Sequence, residues 1–164
     1  MKLKLVLIIA CIVTIQSSLA QQTNRNIVKI LSFNILHGAT TKGDFDLDIL
    51  AKVIKDANPD FVAMQEVDFK TKRARNYDLT TELGWRSKMV SIFAKAMDFD
   101  GGEYGEGVLS KYSFLKTRNI ALPYTEGNEP RAAIEVTSVI ASGDTIAFVG
   151  THLDHLQNEH DRVS

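Results

Sequence analysis

Three short segments put reactive side chains where an apolar run ends: Ser32-Phe33-Asn34, Gln65-Glu66-Val67 and Thr151-His152-Leu153. An amide, a carboxylate and an imidazole are metal-ligand or phosphate-binding groups, and strand ends are where open α/β folds collect their chemistry. Asn34 and Glu66 are 32 positions apart, and Glu66 and His152 are 86 apart. Only a fold that brings several strands out at one end can unite them.

Taken singly, each residue has a plainer reading. A glutamate at a strand end is usually solvated, and an asparagine leaving a strand is a turn residue. An arginine at a strand head, such as Arg131, is a surface charge, and a histidine such as His152 is often hydrogen-bonded near the core. Asp154, His155 and His160 suit the exposed start of a helix, and Tyr104 among glycines reads as a structural turn aromatic, with packing beside the cleft as the alternative. The spacing of His152, Asp154 and His155 also suits a zinc hydrolase, although the further histidine expected there falls on Gly150.

The positioning elements are legible as patterns. Residues 27–36 are nearly all apolar and β-branched, which predicts a strand buried on both faces. Leu47, Leu50, Ala51 and Ile54 recur at helical spacing, with Asp44 and Asp46 near the start and Asn58-Pro59 as a stop. A strand over 61–66 follows, and Leu79 and Leu83 suggest a short helix within 71–84. Strands are then predicted over 92–97, 107–110, 113–122, 131–140 and 145–151. They are parted by turns at Asp100-Gly101-Gly102, Gly127-Asn128 and Ser142-Gly143-Asp144, the last reading as a hairpin. A final helix is expected from Leu156; it reaches Ser164 with no stop signal, which suggests C-terminal truncation.

With 164 residues, 45% hydrophobic and 24% charged, the chain can fill one core but not two large ones. Residues 1–20 stand apart. Lys2 and Lys4 precede an apolar stretch too short to span a bilayer comfortably, and Ser18-Leu19-Ala20 supplies small residues for cleavage. A signal peptide over 1–20, a linker over 21–26 and one domain over 27–164 are therefore expected. The alternative is a relaxed lipoprotein box at Ile8-Ile9-Ala10-Cys11, which leaves a lipid on Cys11. Cleavage after Ala20 removes the single cysteine and fits an exported bacterial protein, periplasmic or extracellular. Loss of Lys2 and Lys4 leaves 17 basic against 20 acidic residues, a net charge of −3 instead of −1. Such a balance argues against a strong basic patch for gripping nucleic acid.

Five motifs, in order, resemble those of the endonuclease/exonuclease/phosphatase superfamily, which includes pancreatic-type deoxyribonucleases, abasic-site endonucleases, inositol-polyphosphate phosphatases and neutral sphingomyelinases. They are ILSFNILHG with Asn34, FVAMQEV with Glu66, GEGVLSKY over 105–112, EPRAAIEV with Arg131 and THLDH with His152. The resemblance implies a deoxyribonuclease I-like α/β fold, a β-sandwich with flanking helices in four layers (α/β/β/α). The family domain continues for roughly another hundred residues, still within one domain. Its Gly-Asp-x-Asn and Ser-Asp-His segments are not in this sequence.

The same resemblance implies Mg²⁺-assisted hydrolysis of phosphate esters, with Mn²⁺ as a substitute. It assigns Glu66 to the metal, Asn34 to metal and phosphate positioning, His152 to transition-state stabilisation and Arg131 to substrate phosphate. Each type suits its role: a hard cation takes oxygen ligands, an imidazole can donate to a phosphoryl oxygen and a guanidinium is a forked donor. The expected substrate is a small phosphodiester, a phospholipid or inositol head group, or nucleic acid. The family's general base and second histidine belong to the missing segments, so the 164 residues alone are expected to be a weak hydrolase. The non-enzyme alternative is an exported fragment without catalysis.

Overall fold

The apolar stripe of Leu47, Leu50, Ala51 and Ile54 becomes the buried face of helix α1, Leu47–Ala57. Asp46 caps its start by accepting from the backbone N–H groups of Asp48 and Ile49, both at 3.0 Å. Asn58, at φ 48°, ends it in the left-handed conformation that asparagine tolerates well. The computed structural model describes residues 27–153. In it α1 joins two parallel strands, β1 (Ile30–Asn34) and β2 (Phe61–Phe69). Helix α2 (Leu79–Ser87) then leads to β3 (Val90–Phe99) and β4 (Gly102–Ser110), which complete a sheet in the order β1-β2-β4-β3.

A second, antiparallel sheet holds β5 (Phe114–Ala121), β6 (Ala132–Val139) and β7 (Thr145–Thr151) in that order. The expected hairpin at Ser142-Gly143-Asp144 closes with Ile140 N–H donating to the Asp144 carbonyl at 2.9 Å. The first sheet buries a different set of side chains on each face. Val62, Met64, Val67 and Leu109 pack with Ile54, Leu79 and Leu83 of the helices. Phe61, Ala63, Ala94 and Val108 pack with Ile134, Val136 and Phe148 of the second sheet. The layers run helix, sheet, sheet, as the deoxyribonuclease I-like reading requires. The helix expected from Leu156, and with it any fourth layer, lies outside the described residues.

Three expectations need correction. Strand β1 is not buried on both faces: Ile30 is 62% exposed, and burial alternates along the strand. It lies at the edge of its sheet, where Leu31 and Phe33 reach the helical core while the second sheet packs over β2, β3 and β4 instead. Strand β2 does not end near Glu66 but continues to Phe69 through a bulge. Strand β4 begins at Gly102, so Tyr104 is a buried strand residue and not a turn aromatic.

Candidate active site

Glu66 owes its position to that bulge. Met64 pairs with Gly107 and Val67 with Gly105, so Gln65 and Glu66 together face Glu106. Glu66 takes φ 56°, a left-handed conformation that costs a non-glycine residue ~1–2 kcal/mol. Strain of this kind concentrates where a side chain must be aimed. Asn34 ends β1 beside Gln65, and its Nδ2 donates to Glu66 Oε1 at 2.6 Å. The other end of the amide is fixed too, because Leu36 N–H donates to Asn34 Oδ1 at 3.0 Å.

A tight turn then brings in His37, whose Nδ1 lies 3.8 Å from Glu66 Oε2. Leu36, His37 and Gly38 all have positive φ. Gly38 is required there, since a Cβ would fall 2.5 Å from the Phe45 ring. Burial lowers the His37 pKa first, Arg73 lowers it further, and Asp68 and Glu66 oppose both.

These residues open onto a cleft of about 160 Å³ whose wall includes Arg73, Met97, Phe99 and Tyr104. Arg73 comes from the loop after β2 and makes a forked pair with fully buried Asp68, Nε to Oδ2 at 2.7 Å and Nη2 to Oδ1 at 2.8 Å. Burial raises the Tyr104 phenol to about 12, with Glu129 and Glu66 adding to the shift and Arg131 opposing it. Tyr104 therefore remains a hydrogen-bond donor at neutral pH.

Arg131 is not a surface charge. It is 6% exposed, lies just before β6, and pairs with Glu129 through Nη1 at 3.0 Å. It also bonds Tyr104 and attracts Glu106. Glu106 is 1% exposed, with no hydrogen bond to either carboxylate oxygen among the described residues. Burial raises its pKa to about 8, against the pull of Arg131.

His152 directly follows β7 and is half-buried. Phe148 packs on Phe61, and a Cβ at Gly150 would lie 3.2 Å from that of Ala63. Strands β7 and β2 thus advance in the same direction across the two sheets. His152 follows Thr151, which pairs with Ala133 two residues after Arg131, so His152 and Arg131 stand at the same end of the second sheet. Asp154 and His155 of the zinc alternative, and His160, lie outside the described residues.

Asn34, Glu66, Arg131 and His152 thus lie at one end of the paired sheets. The sequence reading missed His37, Asp68, Arg73, Glu106 and Glu129. Asp68 and Glu106 fall just outside the strands expected over 61–66 and 107–110, and only the longer β2 and β4 of the structure make them strand residues.

The sequence profile of the endonuclease/exonuclease/phosphatase family matches residues 31–161. This chain belongs to that family. The family includes nucleases and phosphatases, and the fold agrees with its solved members. A family protein from Leptotrichia buccalis C-1013-b superposes with a TM-score of 0.63 at 19% identity, over 78% of this chain and 54% of that one. One from Beutenbergia cavernae DSM 12333 gives 0.62 at 19%, over 77% and 38%. D. rerio TDP2, solved with a single-strand DNA product, gives 0.59 at 20%, over 82% and 50%. The chain spans about half or less of the length of these relatives. The family match gives no support to a zinc hydrolase.

Proposed function

We propose that this protein hydrolyses phosphate esters with a divalent cation, Mg²⁺ or Mn²⁺, held at Glu66. The observation that carries the reading is the Glu66 carboxylate, aimed by a strained bulge into a cleft and held by the Asn34 amide. Among the described residues, no three His, Cys, Asp or Glu side chains gather as a metal cage. The donor set nevertheless fits Mg²⁺, which binds through one or two carboxylates and keeps several waters. Glu66 lines the cleft with its Oε2 3.8 Å from His37 Nδ1, and Asn34 Oδ1 has a second lone pair beyond the bond from Leu36. When bound, such an ion offsets negative charge on the phosphoryl oxygens.

The chain's own groups supply the rest. Asn34 fixes the direction of the Glu66 carboxylate. His152 donates to a phosphoryl oxygen, and Arg131 places positive charge behind the phosphate from its buried position. The mildly acidic composition favours small phosphodiesters and phospholipid or inositol head groups over duplex DNA. The protein is also proposed to be exported, on the pattern of residues 1–20.

The test is Mg²⁺-dependent turnover of a phosphoester panel by the whole protein. Glu66→Gln and His152→Ala are expected to lower kcat by about 10²-fold or more, and Glu66→Gln to leave Tm nearly unchanged, because the Glu66 side chain lines the cleft. A Glu66→Gln variant as active as the parent sinks the mechanism. A parent inactive on every substrate favours the non-catalytic reading.

A further inference from the structure

Arg73 is a cation in the cleft that the assignments above leave unused. Its loop is built to hold it. Arg73 N–H donates to Asp100 Oδ2 at 2.8 Å, and Lys72 N–H donates to the Asp100 carbonyl at 3.1 Å. Thr71 Oγ1 donates to Asp68 Oδ2 at 2.5 Å, so the buried carboxylate is occupied by Thr71 and by two N–H groups on one edge of Arg73. The guanidinium packs over Phe99, 4.3 Å from the ring centroid, and over Tyr104 at 5.5 Å.

This arrangement pins one edge and one face of the fork. The Nη1 N–H groups have no acceptor among the described residues, although the side chain is 33% exposed and lines the cleft with Glu66 and His37. Asp68, by contrast, is wholly buried. An arginine serving only as a counter-ion gains nothing from lining a cleft, whereas a guanidinium pinned on one edge keeps its remaining donors preorganised for an acceptor-only ligand. Of the other carboxylates lining the cleft, Glu129 is paired with Arg131 and Glu66 is held by Asn34.

We propose that Arg73 is a substrate-binding residue whose Nη1 donates to a non-bridging phosphoryl oxygen, holding the phosphate across the cleft from Glu66. The inference rests on the phosphoesterase reading for its ligand and on the Arg73 geometry for its position. On this assignment Arg73 acts chiefly on binding, so its loss raises KM more than it lowers kcat.

The test uses the whole protein with Mg²⁺ and reads two quantities: inorganic phosphate affinity by calorimetry, and KM against kcat on any substrate turned over. Two variants are compared, Arg73→Lys, which keeps the charge without the fork, and the double variant Asp68→Asn with Arg73→Gln, which leaves no lone buried charge. Phosphate affinity is expected to fall about 10- to 100-fold in the double variant and by a smaller factor in Arg73→Lys, the range for losing a charge-assisted hydrogen bond. Tm is expected to stay near the parent's in Arg73→Lys. A parent that hydrolyses substrate, with both variants matching its KM and phosphate affinity, overturns the Arg73 assignment alone. Phosphate binding that is lost in the variants of a parent without turnover upholds Arg73 and overturns the hydrolase reading. A parent that neither binds phosphate nor turns over substrate overturns both.

Discussion

Glu106 shows how a single side chain near the site sets a pH dependence of folding. Its carboxyl lies between the two sheets, near the positive charge of Arg131 and the negative charges of Glu129 and Glu66. Burial raises its pKa from 4.5 to about 8, so between those values the native state holds a proton that the unfolded chain has released. Stability from this group is therefore fully present below pH 4.5 and declines as pH rises toward 8. Glu106→Gln keeps the shape and removes the ionisation. The variant is expected to flatten that decline and to exceed the parent above pH 8, by up to a few kcal/mol, about what ionising a buried carboxyl costs. Urea denaturation at pH 5, 7 and 9 reads the difference, and parallel parent and variant profiles contradict it.

At the scale of elements, the site depends on how closely β4 lies against β3. Gly105 sits between Tyr104, which lines the cleft, and buried Glu106. A Cβ there would lie 2.0 Å from the Ala94 carbonyl oxygen and 2.8 Å from the Ala96 backbone nitrogen. Backbone atoms cannot swing aside as a side chain can. Gly105→Ala is expected to destabilise the protein by ~1–3 kcal/mol or more, the usual cost of overpacking, and to disturb the register shift between Lys95 and Met97. Gly127 is the control for added bulk, since nothing lies within 4 Å of its Cβ position; its φ of 93° leaves only backbone strain. A lowered urea midpoint for Gly105→Ala with retained Mg²⁺-dependent activity would show that close strand approach serves stability and not the aim of Glu66.

At the scale of the whole molecule, the helices and the second sheet cover opposite faces of one sheet, and the cleft opens at the end where Asn34, Glu66 and His152 stand. Among the described residues no helix is long and apolar enough to cross a membrane. Export rests on residues 1–20, which combine Lys2 and Lys4 with an apolar stretch and Ser18-Leu19-Ala20. Mass spectrometry of the protein from its native cell is expected to find an N-terminus at Gln21. A diacylglycerol-modified Cys11 establishes the lipoprotein alternative, and an intact Met1 removes the export proposal.

Much of this was already determined by local pattern. Helical spacing marked the buried stripe of α1, turn residues marked the β6–β7 hairpin, and five ordered motifs carried the family. These are properties of neighbouring residues, governed by side-chain periodicity and backbone preference, and a linear sequence displays them. Tertiary structure decided what depends on residues distant in sequence. The apolar run of β1 looked doubly buried because apolarity does not reveal whether a second layer covers it. The bulge that aims Glu66 arises from pairing with β4, about forty residues downstream. Asp68 and Arg73 are only five positions apart, yet their significance appeared only once β4 brought Tyr104, and the end of β3 brought Phe99, to the same cleft. A charged side chain has the same letter whether it is solvated, paired or held ready for a ligand, and only the groups packed around it determine which.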